Sequence, residues 1–320
     1  MDHAALSRPG SAIGRRAVAA ATSDHAGKVP RTAIGLIAAI SVLWGLNWPI
    51  MKVAVGQLSP WTFRTVCVAI GGVGLMLLAR ASGETIRVPR RQWRSLLLVA
   101  LFSVTGWHLF SAFSLVHMGG GRGAIVAYTM PIWAALLSAW YLKERPTRRR
   151  LTALVVGMAG ILFLIGPDLL GIGHDPLGPL LMIGAAFCWA AGIVVLKGER
   201  WQVGIMALTG WQLLLGGIPI VLAWLVIERH PDLSHLTWAG GLATLYAATV
   251  ALIFCFAAHN KVVTLLPATA AAISTLAIPV IGLLSSAWLL GEPIGWRDVA
   301  ALVLVLGSIA LVLLPEPERA

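Results

Sequence analysis

Pro131 to Glu144 reads PIWAALLSAWYLKE, and 148 residues further on Pro279 to Glu292 reads PVIGLLSSAWLLGE. Seven of the fourteen positions are identical (Pro131/Pro279, Leu136/Leu284, Ser138/Ser286, Ala139/Ala287, Trp140/Trp288, Leu142/Leu290 and Glu144/Glu292), so one segment occurs twice. The spacing is close to half of the 320 residues, which points to a duplicated membrane unit rather than a solenoid of many short repeats. Other positions keep the register: Trp44 with Trp189 and Lys52 with Lys197 at a spacing of 145, and Gly160 with Gly307 at 147.

Composition sets the surroundings of that unit. The chain is 58% hydrophobic and 12% charged, against about a quarter charged in soluble domains, and so belongs in a bilayer. A net charge of +11 would suit nucleic acid if the basic residues lined a groove, but they fall in short loops between apolar stretches, and no nucleic-acid partner is expected. Cys67, Cys188 and Cys255 sit inside apolar segments without a CxxC or Cys/His spacing. They read as small core hydrophobes, with no metal or cofactor implied. Residues 1–31 lack a signal-peptide core, and Arg15-Arg16 is followed by too polar a stretch for a twin-arginine signal; a disordered basic cytoplasmic tail is expected.

At roughly 20 apolar residues per span, ten spans are expected, near 32–52, 60–79, 95–116, 123–142, 151–167, 177–196, 205–227, 238–259, 265–290 and 298–314. Only helices satisfy their backbone groups within such segments, so the fold is all-α. With the N-terminus inside, nineteen Lys and Arg fall on the cytoplasmic side against four outside, which puts both termini in the cytoplasm of a bacterial-type inner membrane. The Gly/Pro/Asp-rich loop near Pro167 to Pro176 divides the chain into residues 32–167 and 177–315. Five spans per half is odd, so the halves would be inverted repeats.

Several motifs fall in order on these spans: WGLNWPIMK (Trp44 to Lys52), SPWTFR (Ser59 to Arg64), the two Pro-to-Glu signatures, and WQLLLGG (Trp211 to Gly217). In them the chain resembles the EamA family of the drug/metabolite transporter superfamily over roughly residues 32–315. The resemblance implies two five-helix repeats around a central cavity that passes a small metabolite, commonly an amino acid or a toxic analogue. The fifth and tenth helices would be peripheral.

All thirteen acidic residues lie in tails, loops or helix ends. A proton-coupling carboxylate at the membrane midplane, which costs roughly 3 kcal/mol and persists only for function, is therefore missing. Trp44, Asn47, Trp48 and Met51 recur at i, i+3, i+4 and i+7 and share one helix face. Trp44, Asn47, Trp48, Trp107, His108, Tyr128, Trp189 and Trp211 are the candidate substrate-binding residues, since deep indoles offer an apolar wall with one donor each. His108 and His259 are candidate proton relays. Pro131 and Pro279, read as lying inside their helices, are candidate hinges, and Glu144 and Glu292 candidate gate latches that cap or bridge helix ends. Arg64, four residues after Pro60, either anchors at the outer interface or attracts an anionic group. Gly119-Gly120-Gly121 lacks the GKS/T of a phosphate loop.

The reading is a secondary transporter of a small metabolite, an amino acid or related compound, working as an exporter by alternating access. It is not an enzyme: an intramembrane enzyme would need converging titratable groups that the sequence lacks. A flippase of a lipid or lipid-linked sugar carrier is the alternative, and a homodimer is compatible with the sequence.

Overall fold

The computed structural model describes residues 31–141, 148–169, 175–259 and 277–313, and their regular structure is entirely helical. In chain order the helices are α1 (Arg31–Val55), α2 (Pro60–Ala81), α3 (Arg90–His117), α4 (Gly120–Ala127), α5 (Met130–Tyr141) and α6 (Arg148–Leu169), then α7 (Leu177–Gly198), α8 (Ile205–Glu228), α9 (Trp238–His259), α10 (Ala277–Leu290) and α11 (Trp296–Leu313). Six of them are long and apolar enough to cross a membrane: α1 from Ile34, α2, α3, α7, α8 and α9. The shortest, at 22 residues, rises about 33 Å, enough for a hydrocarbon core of about 30 Å. Leu151–Leu164 and α10 are shorter apolar helices. The protein is a multi-pass all-α membrane protein with six such spans among the described residues, where ten were expected.

The clearest departure concerns the fourth expected span. It is two helices, α4 and α5, separated at Tyr128 and Thr129, whose N–H groups close on Ala124 O and Val126 O. Thr129, fully buried, holds the break by donating to Val126 O at 2.7 Å and accepting from Trp133 Nε1 at 3.2 Å. Pro131 is thus the second residue of α5 rather than a mid-helix kink, and in a first turn its missing N–H removes no helical bond. Pro279 lies in α10, near the edge of the described residues. Pro49 does lie inside a helix, in α1, where it leaves the Gly45 carbonyl without its usual donor.

The SPWTFR stretch starts α2 as a capped helix. Ser59 Oγ accepts from Thr62 N at 3.0 Å and Pro60 occupies the first turn. Packing then joins the two halves of the chain repeatedly. Helix α2 lies along α8, α6 along α11, α1 along α10 and α9, and α7 along α3 and α5. Close approach depends on missing side chains: a Cβ on Gly216 of α8 would stand 2.4 Å from the Ala100 carbonyl of α3. Thr105 Oγ1 donates to Gly216 O at 2.7 Å at the same crossing. Outward faces are apolar, with Leu77, Val155, Val226 and Val303 exposed, and Trp238, Trp288 and Trp296 stand out near helix ends as interface residues do.

Three helices change pitch. Ala100–Gly106 of α3, Trp224–Glu228 of α8 and Ala247–Phe254 of α9 are π-helical, and two of the three adjoin the cavity described next.

Candidate functional site

The repeated aromatic spacing on α1 converges on a cavity walled by helices of both halves of the chain. From the first half it is lined by Trp44, Asn47, Trp48 and Met51 of α1, Arg64 of α2, Trp107 and His108 of α3, and Tyr128 and Met130 at the α4–α5 break. From the second half come Trp189 of α7, the Ala247, Ala251, Leu252 and Phe256 face of α9, and Ile278 of α10.

The aromatic wall is continuous across both halves. Trp107 and Trp189 have ring centroids 5.1 Å apart, Trp189 and Phe256 6.1 Å, and Trp44 and Phe256 5.6 Å at 81°. Trp44 and Trp189, in register within the repeat, therefore both reach the ring of Phe256. Trp44 Nε1 donates to the Ala251 carbonyl at 3.0 Å. Trp48 is buried, and a Cβ on Gly282 of α10 would lie 2.9 Å from its ring.

Arg64 does not reach an interface. It is 3% exposed, donates from Nε to His108 O and from Nη2 to Ser111 Oγ, both at 2.8 Å, and lies 4.8 Å from the centre of the Phe63 ring. Snorkelling fails because the α2–α3 contact closes over the side chain before it can reach the helix end. Two unsatisfied polar atoms share this wall: Asn47 Oδ1 and His108 Nδ1 are buried without a hydrogen-bond partner.

Seven of the eight sequence-chosen binding residues line the cavity. Trp211 is the exception: its Nε1 donates to Ile86 O at 2.9 Å and its ring packs on Trp93 at 6.0 Å, in a separate core with Val88, Leu96 and Leu208. The start of α8 packs on the 84–93 stretch, where Gly204 N donates to Thr85 O and Ala207 N to the Glu84 carboxylate, and this places Trp211 away from the cavity. His259 is half-buried and stacks 5.5 Å from Trp44 without lining the cavity. Glu144 lies outside the described residues. No group of three His, Cys, Asp or Glu that could hold a metal occurs among the described residues.

At one end of the bundle Glu292 accepts from Gly120 N at 2.8 Å and Gly121 N at 3.0 Å, so a carboxylate of the second half caps α4 of the first. The triple glycine permits this approach: a Cβ on Gly119 would stand 2.7 Å from the carboxylate. Arg122 and Asp298 pair at 2.9 Å, Lys52 Nζ donates to Leu115 O, and Glu228 accepts from Ser59 and Thr62 hydroxyls at the same end.

Phe256 and the Ala251 carbonyl were not singled out from sequence, and Arg64 was marked only as an interface anchor or an anion-attracting group. The signal for Arg64 was available, as the one basic residue inside a span; nothing in the sequence marked the other two.

Comparison with known proteins places this architecture. The model of the EamA-like transporter family matches twice, over residues 31–166 and 176–314. The chain is 24% identical over 251 residues to the uncharacterized transporter YoaV of Bacillus subtilis, covering 78% of this chain and 85% of that one. It is 26% identical over 279 residues to a probable amino-acid metabolite efflux pump of Salmonella typhimurium, covering 84% and 91%. A solved crystal structure superposes with a TM-score of 0.59 at 20% identity, over 88% of this chain and 96% of that one, a likeness of fold. The chain belongs to the EamA-like transporter family.

Proposed function

We propose that the protein is a secondary exporter of a small amphipathic metabolite, an amino acid or related compound, working by alternating access in the inner membrane with both termini cytoplasmic. The observation that carries this reading is the cavity itself, walled by helices of both halves and lined by four indoles with a few polar groups. A rocking of one half against the other would open it at either end. The packing supports two inverted repeats of five spans. The contacts α1·α10 and α5·α7 exchange when the halves are exchanged, as do α3·α7 and α1·α9, while α2·α8 and α6·α11 map onto themselves. The printed name of the Salmonella relative supports the substrate class.

In this reading Glu292 latches the outer gate and Glu144 is its cytoplasmic counterpart. Pro131 and Pro279 set the helices that leave the hinges, and His108 and His259 are the candidate proton carriers. Purified protein in proteoliposomes should release preloaded amino acids faster than protein-free vesicles. Absence of flux across a broad screen of amino acids, nucleosides and sugars would sink the proposal, and scrambling of a labelled lipid in its place would favour a flippase.

A further inference from the structure

One formal charge lies in the cavity wall described above, and it has no carboxylate partner among the described residues. The Arg64 guanidinium is engaged through Nε by His108 O and through Nη2 by Ser111 Oγ and, at 3.5 Å, by Met51 Sδ, groups that carry no net charge, while Nη1 takes no hydrogen-bond partner among the described residues. A guanidinium withdrawn from water without a counter-charge is costly, and inside a membrane such a charge marks a ligand or ion path. Nη1 keeps its N–H donors for a charge-assisted bond to a carboxylate oxygen in the cavity.

A purely structural tie of α2 to α3 and α1 would account for the three bonds that Arg64 makes. It leaves three things over: the unneutralised charge, the unpartnered Asn47 Oδ1 and the unpartnered His108 Nδ1, all in the same wall. Buried polar atoms of this kind are rarely left unmet. A solute with an anionic group and an adjacent hydrogen-bonding group would satisfy all three, with its apolar remainder against the indoles.

We propose that Arg64 anchors a carboxylate of the transported solute, with Asn47 and His108 receiving a polar group beside it, so that the cavity selects carboxylate-bearing solutes over the corresponding amides. The inference rests on the transport reading only in taking this cavity as the solute site.

The test is binding of matched pairs, 3-phenylpropionate with 3-phenylpropionamide and L-leucine with L-leucinamide. Full-length protein in nanodiscs reports through its tryptophan fluorescence. At least one acid is expected to bind tenfold or more tightly than its amide. Arg64→Met should reduce that preference to less than twofold, and Arg64→Lys should retain part of it. Equal binding of acid and amide to the unaltered protein, no binding of either acid, or an undiminished preference in folded Arg64→Met would overturn the proposal. If Arg64→Met fails to fold, the acid-to-amide ratio of the unaltered protein decides. Flux of the same pairs separates the two readings: equal flux of acid and amide leaves transport standing and removes the anion anchor. Acid-selective binding without flux of any solute does the reverse.

Discussion

The Trp44 indole donates to the Ala251 carbonyl at 3.0 Å, and that carbonyl belongs to the π-helical part of α9. A first-half side chain thus meets a second-half backbone group at the cavity wall. Trp44→Phe keeps a ring but removes the donor, and should cost about 1 kcal/mol in a thermal melt while changing which solutes are exported. Trp211→Phe removes the bond to Ile86 and should destabilise by a similar amount with solute selectivity unchanged.

Glu292 capping Gly120 and Gly121 predicts a gating effect. Glu292→Gln exchanges a charged acceptor for a neutral one, which should weaken the tie by about 1–2 kcal/mol and raise the population open at that end about tenfold. Ser286, fully buried beside Gly120, reports it: a cysteine placed there should react with a polar thiol reagent about tenfold faster when Glu292→Gln is also present.

At Gly216 the nearest obstacle to a Cβ is backbone, the Ala100 carbonyl at 2.4 Å. Gly216→Ala should therefore force α8 from α3 and cost about 1–3 kcal/mol, read as a lowered melting temperature.

Asp175, at the start of α7, accepts from the Leu177 N–H and pairs with His117 Nδ1 at 2.6 Å. Those contacts, the backbone bond first, hold its carboxyl below its ordinary value of 3.8. A group whose folded value is depressed contributes stability above its unfolded value and loses it as pH falls through the folded one. Asp175→Asn should lower the melting temperature at pH 7, and the difference should close as pH falls below about 3.8.

How far the sequence reached can be argued residue by residue. Apolar length and the period of α1 were sufficient for membrane helices and for placing Trp44, Asn47, Trp48 and Met51 on one face, because both follow from local geometry. Of the two readings of Arg64, its burial removes the outer-interface anchor and leaves the attraction of an anionic group, because distance along the chain from Pro60 does not measure depth once α3 packs over it. Pro131 was read as a kink because the break at Tyr128 and Thr129 is held by a buried side-chain hydrogen bond, which hydropathy does not register. Trp211 lies apart from the cavity because its ring packs with the 84–93 stretch, a tertiary contact that the span pattern does not register. That Glu292 would meet a helix end was legible; that the end would be α4 was not.

The π segment of α3 ends at Gly106, immediately before Trp107 and His108. A π turn holds one residue more than the α-helical path requires, so the segment stores slack in the helix. Tightening it to α would turn the residues that follow by about 100°, swinging the indole and imidazole off the wall. Solute contacts could thus be made and released by a local change of winding, without translating a whole helix through lipid.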